Sequence, residues 1–114
     1  MTNQELLEYA AKAVWGYFPT KSTERGVQIG LYSWWNPLTS DADAFKLQVL
    51  LRMDIVAEDD WVQALCWDRQ MPIPAVAEAT EDITVDDRAS TRRAIVRAAA
   101  ELGKRMIGEE DGDS

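Results

Sequence analysis

Apolar positions first recur along the chain at helical spacing. Leu7, Ala10, Ala11 and Val14 fall on one side of a helix, and Leu6 and Ala13 widen the stripe, so the segment to about Val14 lies on the core. Thr2 to Glu5 reads T-N-Q-E, a capping box in which the two side chains satisfy unpaired amides at the helix start. Gly16 and Pro19 stop this helix. VWGYF, the polar KSTERG and the alternating VQIGLYSW then read as two short strands around a loop. Val27, Ile29 and Leu31 share one strand face, and Gln28, Gly30 and Tyr32 share the other. In SWWNPLTSD, Pro37 forbids a continuing ladder and biases Asn36 toward extended geometry.

Thr39 or Ser40 can cap a second helix from Asp41 to about Met53, with Asp41 and Asp43 in the first turn, where the dipole favours acids. Ala44, Leu47, Leu50 and Leu51 lie together, whereas Phe45, Val49 and Met53 cover much of the opposite side. A helix apolar almost all round is either the central element of the fold or shared with a second subunit. From Asp54 to Asp68, Trp61, Gln63, Leu65 and Trp67 alternate with Val62, Ala64 and Cys66, which predicts a strand, a central one. RQMPIPAVAEATEDITV has two prolines and weak alternation, and reads as a loop with one edge strand. Asp86 or Asp87 then caps a last helix through about Ile107, ended by Gly108, with Ile95, Ala98, Ala99, Leu102 and Met106 as its core stripe and Arg93, Arg97 and Lys104 toward solvent. The expected fold class is α+β, three helices packed on a small, mainly antiparallel sheet. It forms one domain over 1–108, followed by a disordered acidic tail over 109–114.

Composition narrows the chemistry. With 114 residues the chain fits one domain. It has no histidine, which removes the commonest general base, the commonest zinc ligand and every Ser/His or Cys/His pair. A single cysteine, Cys66, cannot form an internal disulfide or a thiolate zinc site, and without a neighbouring cation it reads as a small buried hydrophobe in a reducing compartment. There is no Walker-type run, and Gly26 with Gly30 makes no dinucleotide fingerprint. The paired acids Asp41 and Asp43, Asp59 and Asp60, Glu81 and Asp82, Asp86 and Asp87 read as solvated loops or helix starts. The expectation is a protein that is not an enzyme and uses no cofactor or metal. Neither a leader nor a membrane span is evident, so the expected location is intracellular.

Charge is unevenly distributed. The formal net charge is -8. Residues 1–53 carry five acids and five bases, residues 54–87 carry ten acids against Arg69 alone, residues 88–107 carry six bases against Glu101, and residues 109–114 add four acids. This argues against a broad basic face for duplex nucleic acid, and an extended acidic face can instead imitate DNA toward a basic partner.

Two arginines and two tryptophans stand out as candidate ligand-binding groups. Arg88 projects along the inner stripe of the last helix and Arg92 lies at its flank, where a guanidinium needs a carboxylate, a carbonyl or a bound anion. Asp43 is the expected carboxylate if the role is structural. Trp34 and Trp35 are adjacent at a strand end, so at most one is core, and the other covers an edge, a partner or a planar ligand. A base stacked there, with its phosphate on an arginine, would make a small nucleotide pocket; a packed hairpin corner explains the same residues with no ligand.

WNPLTSDADAFKLQVLLRMDI, followed by STRRAIVRAAAELGKRM, resembles a group of small proteins carried by tailed phages and prophages, with a Trp-Asn-Pro-Leu-Thr turn and an Arg-Arg-Ala-Ile-Val-Arg-Ala-Ala-Ala helix; more distantly the layout is similar to NinX-type phage proteins. Trp35 lies inside the shared turn and Trp34 does not. The resemblance implies a phage origin and a rough fold rather than an activity; because small non-enzymatic phage proteins often act on host defence, the expectation is a counter-defence role in the host bacterial cytoplasm. On this reading the chain sequesters a nucleotide-derived immune signal, with Trp34 and Trp35 stacking the base, Asn36 reading an edge or fixing the turn, and Arg88 and Arg92 binding phosphate. The alternative is an acidic inhibitor or DNA mimic that blocks a host defence protein through Glu58, Asp59, Asp60 and the tail. The all-round apolar second helix also leads to the expectation of a homo-oligomer.

Overall fold

A computed structural model describes residues 1–19, 21–29, 33–66, 77–83 and 86–111, with side chains through 105. Three helices, α1 (Asn3–Trp15), α2 (Asp41–Leu51) and α3 (Asp87–Asp111), combine with two antiparallel three-stranded sheets in an α+β fold. The first sheet has the order β1 (Ser22–Thr23), β2 (Gly26–Ile29), β3 (Ser33–Trp35), and the second β4 (Asp54–Ala57), β5 (Trp61–Cys66), β6 (Ala77–Asp82).

The capping box forms as its sequence dictates: Glu5 N–H donates to Thr2 Oγ1 at 3.1 Å, and Thr2 N–H donates to Glu5 Oε1 at 3.2 Å. The helix continues through Trp15 to Gly16, which caps it in the left-handed region at φ 82°. The strand expected in VWGYF is therefore not there, and the hairpin arm opposite β2 is the polar Ser22–Thr23. VQIGLYSW also divides, since Ile29 pairs back with Ser33 and Val27 with Trp35. Gly30, Leu31 and Tyr32 lie outside the described residues. Gly26 is required at this corner: its φ is 119°, and a Cβ would strike the Trp35 carbonyl.

The single strand expected over 54–68 is likewise a hairpin, with Asp54 to Ala57 paired against Leu65 to Val62. β5 is the central strand, as its alternation predicts: Val62, Ala64 and Cys66 are buried, while Trp61, Gln63 and Leu65 are half-buried. β6 is an edge strand of this sheet, as is β4 on the other side of β5. Trp67 and most of the proline-containing segment lie outside the described residues, as does 112–114 of the acidic tail.

Between α1 and the second sheet runs α3, which also touches α2. Its buried set is wider than one stripe, with Ala94, Ile95, Val96, Ala98, Ala99 and Ala100 all inside. Four alanines, Ala94 and then Ala98, Ala99 and Ala100 on the next turn, let three elements approach one helix, so α3, not α2, is central. Close approach is tightest at Gly103, where a Cβ would collide with the Tyr9 carbonyl of α1. Backbone helix continues through Gly108 to Asp111 instead of ending there, since a glycine without a left-handed turn lowers helix propensity but does not terminate it.

Candidate functional site

The turn after β3 is held by its own polar groups. Asn36 Oδ1 accepts from Leu38 N–H at 3.1 Å, and its carbonyl accepts from Ser40 N–H at 2.9 Å. Asn36 N–H donates to Asp43 Oδ2 at 2.9 Å, and Ser40 caps α2 by accepting from Asp43 N–H at 3.2 Å. Asn36 thus fixes the turn, and Asp43 is occupied by the backbone of the turn rather than by an arginine. Trp35 is buried, its ring edge-to-face with Trp15 at 5.0 Å. Trp15 carries no obvious signal in the sequence, because it reads as part of a strand rather than as the last turn of α1.

Asp41, at the first position of α2, is the carboxylate that receives the arginines. Arg92 Nη1 lies 2.6 Å from Asp41 Oδ1, and Arg92 Nε donates to the Leu38 carbonyl at 2.8 Å, with the Arg92 side chain 17% exposed. Arg88 reaches Asp41 Oδ2 only at 3.5 Å and is 80% exposed. The Arg92 hydrogen bond, assisted by both guanidinium charges, holds the Asp41 carboxyl below its ordinary range. Asp41 was not singled out from sequence as the partner because it and Asp43 look alike there; the turn's need for an acceptor at Asn36 N–H distinguishes them. A cleft of about 350 Å³ between α2 and α3 is lined by Asp41, Ala44, Phe45, Arg88, Arg92 and Ile95, among others, and no tryptophan among the described residues borders it.

Trp34 faces elsewhere. In β3 it pairs with Gln28 while Trp35 pairs with buried Val27, so the two indoles lie on opposite sheet faces. Trp34 is 37% exposed, with Lys21 Nζ 6.0 Å from its ring centroid. The five residues expected to share a ligand are therefore divided among a sealed core position (Trp35), a self-satisfied turn (Asn36), an ion-paired helix start (Arg88 and Arg92) and an open sheet face (Trp34).

The remaining arginines of α3 with described side chains also have carboxylate partners. Arg93 and Arg97 both pair with Glu81 of β6, and Arg105 pairs with Glu101. Arg93 and Arg97 face solvent as expected, and they pair with Glu81 from that exposed position. In contrast, Glu58, Asp59 and Asp60, exposed at the β4–β5 turn, have no ion-pair partner among the described residues. On α2, Phe45, Val49 and Leu50 are 65%, 55% and 57% exposed, and Val56 of β4 is exposed as well. The Cys66 thiol is buried, and burial pushes its pKa up to about 12, so it is no nucleophile. Among the described residues, no three acids or cysteines are placed to hold a metal ion, and no helix is long and apolar enough to cross a membrane. No family model, curated protein or solved structure matches the chain.

Proposed function

We propose that the chain is a non-enzymatic binding protein that blocks a basic protein, with the outer face of α2 as its anchor. The observation that carries this reading is the exposure of Phe45, Val49 and Leu50 on one helix. Burying a side chain of this size is worth roughly 1.5–3 kcal/mol, so three together supply a binding centre of the helix-in-groove kind. Charge selects the partner's chemistry. The described arginines of α3 are engaged with Asp41, Glu81 and Glu101, whereas Glu58, Asp59 and Asp60 remain exposed, so the field outside the molecule is negative. A basic partner is drawn in by that field and held by the apolar contact. The phage-like turn and last helix favour a host defence protein as the target, acting in the bacterial cytoplasm.

Sequestration of a nucleotide at the WWNP turn loses support, because Trp35 is sealed and Arg92 is already bonded to Asp41 and Leu38. Support for a nucleotide remains at Trp34 alone.

The test is capture from a bacterial lysate by the wild-type chain and by the Phe45→Glu/Val49→Glu double variant, with sedimentation of each chain alone. The expected result is a basic protein retained by wild type in low salt, released as salt rises, and lost in the double variant, while both chains sediment as monomers. A wild-type dimer that the double variant dissociates assigns the face to self-association and overturns the proposal. So does equal retention of the same partner by both chains.

A further inference from the structure

We propose that the open face of the first sheet binds a mononucleotide, with the base on Trp34 and the phosphate on Lys21 and Arg25. This site is independent of the α2 face. The strand register assembles it: Gln28 N–H donates to the Lys21 carbonyl at 2.9 Å, and Gln28 pairs with Trp34, so Lys21, Gln28 and Trp34 form one row across the sheet. Adjacent residues alternate faces, which puts this row opposite the buried pair Val27 and Trp35. A recess of about 570 Å³ results, lined by Gln4, Lys21, Ser22, Glu24, Arg25 and Trp34, among others.

Three features of the recess point to this ligand chemistry. The indole is a large, part-exposed plane on which a base can stack. Lys21 Nζ stands at about the outer limit of a cation–π contact, so it covers the ring loosely and leaves it open to a better-matched plane. Lys21 and Arg25 have no ion pair among the described residues, unlike the arginines of α3, and against Glu24 on the same rim they leave a net positive spot on an acidic molecule. The overall charge of -8 opposes a polyanion, so one nucleotide fits the electrostatics and a nucleic-acid strand does not.

The experiment is calorimetric titration of the full chain with AMP, with adenosine, inorganic phosphate and a ten-nucleotide oligo(dT) as separate probes. AMP is expected to bind, with adenosine and phosphate each at least tenfold weaker. Trp34→Ala and the Lys21→Ala/Arg25→Ala double variant are each expected to lower AMP affinity at least tenfold, and Phe45→Glu/Val49→Glu to leave it unchanged. If Trp34→Ala fails to fold, the double variant at the exposed cations decides alone. Absence of AMP binding at millimolar concentration overturns the proposal. So does phosphate binding as tightly as AMP, oligo(dT) binding more tightly, or AMP affinity that survives loss of both cations.

Discussion

Arg88 and Arg92 contact the same carboxylate, yet their physical situations differ enough to predict opposite outcomes on removal. Arg92 is largely buried and makes two hydrogen bonds, one charge-assisted on both sides, so Arg92→Ala is expected to cost about 1–3 kcal/mol. Arg88 is mostly in water at a long distance from Asp41, and Arg88→Ala is expected to fall within about 0.5 kcal/mol of wild type. Urea unfolding of the two variants checks the contrast, and equal losses would refute it. Asp41 links this contact to pH. Its folded pKa lies below its unfolded value, so the stability it contributes is present above about pH 4 and lost as pH falls through the lowered value. Urea midpoints at pH 6 and pH 3 should therefore drop less in Asp41→Asn than in wild type, because the amide has no proton to gain. Cys66 gives a third residue-scale expectation. With its thiol raised to about 12 by burial, it should resist a disulfide reagent at pH 8 in the native protein and react only as the chain unfolds. Cys66→Ser, which buries a hydroxyl in the same place, should lose about 1–3 kcal/mol.

Elements depend on backbone approach as well as on side chains, and Gly103 shows how. In an exposed helix, Gly→Ala gains about 1 kcal/mol of propensity. At Gly103 a Cβ would meet the Tyr9 carbonyl, so Gly103→Ala must separate α1 from α3 and should lower stability by about 1–3 kcal/mol, measurable by thermal or urea unfolding. A stabilised variant would show that the two helices separate easily. The same geometry explains what the sequence could and could not disclose. Local bonds leave local marks: the Thr2–Glu5 box, the Ser40 cap and the alternation of Val62, Ala64 and Cys66 were all legible. A hairpin leaves no mark in period two, because both arms alternate; that is why β2 and β3 read as one strand and β4 and β5 as another. Alanine counts weakly in any apolar stripe, which hid the central position of α3 and left α2 to read as either the central element or a helix shared with a second subunit. At the candidate sites, Trp34, Trp35, Arg88 and Arg92 stood out by residue type. Their separation did not, because it follows from strand register and from Asp41, which lies 51 residues from Arg92.

At the scale of the whole molecule, charge is arranged at a cost to folding. β4–β5 closes on Glu58, Asp59 and Asp60, and strand pairing sets Asp82 against Trp61, so four acids gather at one end of the second sheet. Ile83 N–H donates to the Asp60 carbonyl there, which ties the acidic turn to the end of β6. The arginines that could neutralise this end lie along α3 and are held by Asp41 and Glu81. Like charges left together destabilise a fold slightly, and on the proposed function the same charges draw in the basic partner. The proposed function makes this separable. Asp59→Lys with Asp60→Lys should leave the melting temperature unchanged or raise it, because repulsion is removed and no described contact of either side chain is lost. The same variant should bind the basic partner more slowly, with the difference shrinking as salt rises and the field is screened. Association rates measured across a salt series, beside melting curves for the same two proteins, decide the matter. A variant that melts lower, yet associates as fast as wild type at every ionic strength, would place these acids in the fold's stability and remove them from recognition.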